Sequence, residues 1–461
     1  MSVNLNQSAE PLTKTRQLGL FAASLTYAKL PPDVAHYCKR ALVDWSAAAI
    51  AGAGQPAAIK VRQVIAALDQ AGPATLIGTP LTANAAFAAL GNAFASHLLD
   101  YDDVFNPIET TIHLSSCIWP AVLAIGQWRG LSGQAVIAAY VAGFETGARV
   151  ARAAGATHYQ SAWQVTGTMG HVAAAAAAAN ALGLSPAAAA HALGCSATQS
   201  AGIREVYGSD SKTLPPAKAA MDGVLSALLA EQGFTSTATA IEGERGLLRA
   251  VSQAPDDALL TEGLNTRWHL LDNGNKLYPT ASLTHAAIEA AHAAAQDFAD
   301  KRHEVADITV HMHPFSAAVT ALVHPHTGPQ ARFSTPHCVA VTLARGGLGL
   351  GDFDDATLND TLISQLRGRI TIIADPSIDK RGCQLVLQWT NGEISRYDVW
   401  RNRGTPAVPL RDQDLSDKLT DACAGMMDAA SAEALLEQCW TFEQVTDINL
   451  FMQRMRGTLA P

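Results

Sequence analysis

The chain has 461 residues, 48% of them apolar and only 16% charged, with a formal net charge of -9 at pH 7. That length supports a large buried core without cross-links, and the composition excludes a disordered scaffold. No long Lys/Arg run is present, so the electrostatic footprint of a nucleic-acid binder is missing.

Residues 1–7 lack the charged-then-apolar order of an export signal. The longest apolar runs, 172–179 and the stretch after Pro186, are built of alanine and too short to span a bilayer. The expectation is a cytoplasmic protein with no membrane partner. Pro32-Asp33 opens a helix in which Val34, Tyr37, Cys38, Ala41, Leu42 and Trp45 recur at helical spacing and which reaches Gly52. Further helices read over 84–99, 132–153, 169–182, 185–201 and 217–233. Past Leu271, Asp307 to His313 and Arg369 to Ile373 alternate like strands, and 384–389 with 394–400 flank an Asn391-Gly392 hairpin turn. Helical periods intervene at 284–298 and 336–343, and helix resumes at 414–427 and 432–438. This order predicts a mainly α protein: a large all-helical domain formed by both chain ends, 1–272 and 405–461, plus a smaller α+β lid domain over 273–404. Seven scattered cysteines without C-x-x-C spacing fit reduced thiols better than a disulfide framework or a zinc site.

Three polar clusters interrupt the apolar background. Asp100-Tyr101-Asp102-Asp103 precedes His113, and apolar stretches enclose both. Low dielectric moves carboxylate and imidazole pKa values toward the range useful for proton transfer. The plain alternative is a solvated loop in which Asp102 or Asp103 caps a helix. The second cluster, Ser161 to Gly170, leads into the alanine helix, whose first N–H groups suit a carboxylate. The third, Asp272 to Pro279 with Ser282 and His285, falls at the expected domain boundary and offers Lys276, Tyr278 and a histidine. Lys212 adds a second cation. His311, His313, His324, His326 and His337 crowd one stretch, but no H-E-x-x-H or cysteine pair completes a ligand set, so no metal site is expected. The glycines at 346–351 follow a helical pattern rather than a strand, which weakens a nucleotide-loop reading. No G-x-S-x-G elbow occurs.

These clusters, in this order, resemble the MmgE/PrpD family, which includes 2-methylcitrate dehydratase, cis-aconitate decarboxylase and iminodisuccinate epimerase. Asp100 to Asp103 is similar to its D-F-D-D, His113 with Ser115 and Ser116 to its H-P-S-S, and Gly143-Phe144-Glu145 with Arg149 to its G-Y-E and arginine. Trp163 to Gly170 is similar to its W-H-P-T-G-T-x-G, and Gly208 to Lys212, Lys276 to Pro279 and Phe333-Ser334 with Pro336 also fit. The resemblance implies a helical body with an α/β lid, an active site between them, a homodimer, and proton transfer next to a carboxylate of a small di- or tricarboxylate without metal or organic cofactor.

Carried across by position, the catalytic candidates are Asp100, His113, Lys212, Lys276 and His285, and the substrate-binding candidates are Trp163, Gln164, Thr166, Thr168, Tyr278 and His337. His113 is the expected base, Asp100 its partner, Lys212 and Lys276 the carboxylate binders, and His285 or Tyr278 the acid. Gln164 replaces a family histidine, Val104 a threonine and His337 a tyrosine. Pro215 and Ala217 stand for a histidine and a glycine, and residues 106–109 lengthen the loop before His113. The leading expectation is a lyase dehydrating a small hydroxy-polycarboxylate. Epimerisation, decarboxylation and a carboxylate- or metal-binding protein without turnover are the alternatives.

Overall fold

The structure is a computed structural model and describes residues 12–68, 71–297, 301 and 304–459. The opening residues on which the export argument rests lie outside these. No helix among the described residues is long and apolar enough to cross a membrane.

The fold is mainly α, as its alanine-rich helical periods require. The helix Val165–Ala181 is buried along its whole length except at Asn180, because an element apolar on every side must be enclosed by others. Its neighbours approach through small residues. A Cβ on Gly147 would fall 2.5 Å from that of Ala173, and one on Gly223 2.4 Å from that of Ala174. Helices Gly133–Gln160 and Leu214–Glu231 thus pack backbone to backbone against the central one. The same apolar core takes residues from Leu18 to Leu270 and returns through Leu410 to Met455, so the C-terminal helices close the body that the first part begins.

A second core, from Ala286 to Trp389, belongs to a four-stranded sheet and the helices on it. Strand Val305–Met312 lies parallel to Ile370–Ala374 and antiparallel to Cys383–Trp389, which pairs in turn with Ile394–Val399. The last two form the expected hairpin, with Gly392 at φ +90° in its turn.

Helix ends differ from the sequence reading where polar residues enter the helix. The central helix starts at Val165 rather than at 169, because the Thr168 hydroxyl bonds back to the Gln164 and Val165 carbonyls and sits comfortably in the first turn. The helix over 132–153 runs on to Gln160 through a break at Gly155, φ +70°. Helix Leu114–Arg129 tolerates Pro120 inside it and is the buried apolar stretch that follows His113 in the sequence. Helices Lys14–Ser24 and Pro56–Leu68 carry no signal in the sequence reading.

On helix His285–Asp297, burial pushes the Glu289 carboxyl up to about 7 from an ordinary 4.5, against the Arg403 N–H it accepts at 3.0 Å. A carboxyl whose folded pKa is raised contributes stability below its unfolded pKa and loses it as pH rises through the folded one. Glu289→Gln, which keeps the hydrogen bond and removes the titration, should therefore melt higher than the parent at pH 8.5, by about 1–2 °C, with the difference gone or reversed at pH 4. Equal differences at both pH values would contradict the assignment.

Candidate active site

Asp100 follows the end of helix Ala85–Leu98 and takes φ +53°, a left-handed conformation uncommon outside glycine. That turn sends its carboxylate to two lysines. Lys276 Nζ donates to Asp100 Oδ1 at 2.5 Å and to its carbonyl oxygen at 2.9 Å, and Lys212 Nζ lies 3.4 Å from the same Oδ1. Burial alone would raise the Asp100 carboxyl, but Lys212 and Lys276 outweigh it and hold the group far below the carboxylate range. Burial lowers Lys212, and the Asp100 charge only partly compensates.

Two residues on, Asp102 does different work. Its Oδ2 lies 2.8 Å from His97 Nδ1 and 3.2 Å from His113 Nδ1, and the two imidazoles meet edge to face at 4.8 Å. Burial would raise Asp102 too, yet His97 and His113 together keep it well below its ordinary range. His97 is pushed down to about 4, by burial first, so it is neutral near pH 7. His113 itself precedes helix Leu114–Arg129, where its backbone N–H donates to Thr166 Oγ1 at 3.0 Å. Nδ1 faces Asp102 Oδ2 across 3.2 Å, which leaves Nε2 as the ring nitrogen for a substrate.

Asp103 completes the division of labour. It accepts from Ser115 Oγ at 2.6 Å and Asn273 Nδ2 at 2.7 Å, while burial and nearby Asp44 push its pKa well up. Asp103 thus ties the acidic loop to the body. The loop is braced from outside by Lys418, on helix Asp412–Cys423, whose Nζ donates to Asp44 Oδ1 at 2.8 Å, the Tyr101 carbonyl at 2.6 Å and the Lys276 carbonyl at 2.8 Å.

His97, Asp100, His113, Gln164, Thr166, Lys212 and Lys276 line one cavity of about 90 Å³. Tyr159 and Tyr207 add phenols, and Lys380 and Arg381 reach in from the lid. Burial lowers both lid cations, Arg381 to about 10. Four cationic side chains therefore face one carboxylate, Asp100, across the cavity wall.

Several sequence expectations need correction. His113 faces Asp102 and not Asp100, whose Oδ1 turns to Lys276 and Lys212. Trp163 lies outside the cavity and stacks on His158 at 6.1 Å, and Thr168 turns away to hold His158 Nε2 at 2.8 Å. A Cβ on Gly170 would fall 2.7 Å from Cys117 Sγ, so this glycine serves close packing against helix Leu114–Arg129. His337 sits inside the lid, 3.0 Å from the Asp352 carbonyl and 3.3 Å from Arg367. Tyr278 does not line the cavity and packs edge-on against His285 at 5.2 Å. His285 lines a neighbouring cavity instead, neutral because burial and then Lys276 and Arg381 lower it to about 3. Sequence reasoning missed His97, Lys380, Arg381, Tyr159 and Tyr207. Only His97 carried a signal, a histidine at the end of an apolar helix five residues before Asp102.

Among the described residues, none of the crowded lid histidines joins a ligand set. Among the described residues the one group of three with metal-ligand atoms close together is His97, Asp102 and His113, all within 4.8 Å. Both imidazoles address the same carboxylate oxygen at hydrogen-bond distance, an arrangement that suits a shared proton.

The model of the MmgE/PrpD N-terminal domain matches residues 16–259 and that of the MmgE/PrpD C-terminal domain residues 278–441. The chain belongs to the MmgE/PrpD family. It is similar to cis-aconitate decarboxylase-like protein oryM of Aspergillus oryzae, 24% identical over 480 residues, covering 96% of this chain and 98% of that protein. Cis-aconitate decarboxylase of Aspergillus terreus is 29% identical over 301 residues, 62% of this chain and 61% of its own, and the Homo sapiens protein of that name is 21% identical over 402 residues, 81% and 80%. Family and relatives support a lyase-type function on a carboxylate substrate.

Lys418→Met should remove about 3–5 kcal/mol of stability, because Asp44 is left buried and charged without its partner. The double variant Lys418→Met/Asp44→Asn should recover much of that loss in urea titrations. A single variant as stable as the parent would show the pair to be dispensable.

Proposed function

We propose that this protein is a lyase that removes carbon dioxide from a small unsaturated tricarboxylate, with His113 as the proton-transferring group. The observation that carries this reading is the Asp102–His113 pair opening on a cavity where Lys212, Lys276, Lys380 and Arg381 face a single carboxylate. Cations so placed hold substrate carboxylates and offset negative charge that develops on carbon. In the proposed step the C–COO⁻ bond breaks and its electron pair moves through the adjacent double bond. The far carbon takes a proton from His113 Nε2, carbon dioxide leaves, and the ring regains a proton from solvent. Asp102 orients the ring throughout, and Gln164, whose Nε2 donates to the Lys212 carbonyl at 2.8 Å, sets the Lys212 backbone.

Decarboxylation is preferred to dehydration because the relatives matched along most of their length carry that activity in their names. It also asks for one proton donor, whereas dehydration needs a second acid at the leaving hydroxyl, and the groups expected to supply it, Tyr278 and His285, stand outside the cavity. Dehydration is the second reading, favoured by Tyr159 and Tyr207, whose phenols burial keeps protonated at the cavity wall. Family membership supports a homodimer, and the buried, unpaired state of all seven cysteines suits a cytoplasmic setting.

The test is proton NMR in deuterated water with cis-aconitate, citrate, 2-methylcitrate, malate and iminodisuccinate. Cis-aconitate should give a decarboxylated alkene carrying one deuteron, and His113→Asn should lower its kcat by roughly 10²–10⁴. Lys276→Met should weaken substrate binding as well as turnover. Water loss from citrate or 2-methylcitrate without carbon dioxide release would move the assignment to dehydratase, and undiminished turnover by His113→Asn would end the role given to that residue.

A further inference from the structure

A second, larger cavity of about 480 Å³ adjoins the first, and Asn106, Lys276, Ser282, Lys380 and Arg381 line both. Its own wall contains His285, Arg401 and Asn402, and its rim is the loop 106–109, the segment that lengthens the approach to His113 in this sequence. That loop is anchored rather than loose. Glu109 pairs with Arg152 at 2.9 Å, and the Asn106 amide, oriented to donate to the Thr110 carbonyl at 3.1 Å, accepts from the Arg381 guanidinium. Ile108 remains 95% exposed at the mouth.

This wall carries polar groups that the inner cavity does not use. Lys276, Lys380, Arg381 and Arg401 face one acid, Asp379, which pairs with Arg401 at 2.9 Å. Three buried polar atoms there have no protein partner: His285 Nε2, Arg401 Nε and Asn402 Oδ1. His285 is 1% exposed and Asn402 3%, so bulk water does not reach these side chains freely. Buried donors and acceptors are almost always paired, and three orphans on one cavity mark a place where a ligand completes the bonding. Arg401 Nε donates. Asn402 Oδ1 accepts, and so does His285 Nε2, because the other ring nitrogen is engaged by the Thr280 backbone. Cations beside a donor and two acceptors match a carboxylate flanked by a hydroxyl or a bound water.

We propose that the larger cavity is a second anion subsite, which takes an additional carboxylate arm of an acid whose reacting end occupies the His113 cavity. The proposal rests on reading the inner cavity as a polycarboxylate site. It makes the loop 106–109 a specificity element: by reaching Arg381 it builds the outer wall, and so admits acids longer than those that fill the inner cavity alone.

Binding without turnover separates this idea from the assigned reaction. Calorimetric titration of the full chain with tricarballylate, which has three carboxylates, and with butane-1,2,3,4-tetracarboxylate, which has four, measures the value of the extra arm. The tetra-acid should bind at least about tenfold more tightly to the parent protein, the scale of one good contact to a charged group. Arg401→Gln, at a half-exposed side chain outside the inner cavity, should abolish that preference while leaving tricarballylate affinity within about twofold, and Arg401→Lys should keep most of it. Asn402→Ala should narrow the preference without removing it. Equal affinity of the two acids for the parent, or an unchanged preference in Arg401→Gln, would overturn the second subsite. Failure of every acid to turn over in NMR, with the preference intact, would instead count against the proposed reaction.

Discussion

Lys418 is the group on which the geometry of the site depends. An ammonium ion cannot be buried unless its three donors are satisfied. Here they are satisfied by Asp44, by the Tyr101 carbonyl and by the Lys276 carbonyl, so one side chain from the C-terminal helices grips the backbone beside Asp100 and that of Lys276 at once. Its Nζ also stands 3.8 Å from the centre of the Tyr101 ring. The Asp100–Lys276 pair is therefore set by a residue more than a hundred positions away from either of its members. The left-handed Asp100 backbone is tolerable because these bonds over-determine it.

From that anchor the charges sort themselves. Three acidic residues within the Asp100–Asp103 segment, with similar solution chemistry, acquire three functions, because each meets a different partner in a medium of low dielectric. Asp100 is a counter-ion for two lysines, Asp102 a partner for two histidines, and Asp103 a hydrogen-bond acceptor for Ser115 and Asn273. Besides Lys276, the lid sends Lys380 and Arg381 to this inner set. Those two cations, however, belong equally to both cavities, which makes the lid the side of the site where substrate length is read.

Much of the architecture was legible along the chain. The helical periods, the strand alternation and the Asn391-Gly392 turn all carry local signals, and those elements appear where expected to within a few residues, apart from the extended N-terminal and C-terminal ends noted above. Asp100, His113, Lys212 and Lys276, which line one cavity, stand out in the sequence because charge is scarce and concentrated around them. Trp163, Thr168, Tyr278 and His337 do not line the His113 cavity, and a helix can turn successive positions to opposite sides. Thr166 reaches the His113 backbone, whereas Thr168, two positions along the same helix, bonds His158 behind it. Lys380 and Arg381 had no signal at all, lying in an ordinary polar stretch between strands.

The sequence alone determined that this chain makes a mainly helical body with a smaller mixed lid, belongs to one enzyme family, and concentrates acid, base and cation near Asp100 and His113. Periodicity, composition and ordered motifs are properties of neighbouring residues, so they survive in one dimension. Tertiary structure alone decided that Asp102 rather than Asp100 supports His113, that His285 looks into an outer cavity, and that Lys418 holds the site together. Those facts depend on distances of a few ångströms between residues far apart in the chain, and on burial that changes the proton affinity of otherwise identical side chains.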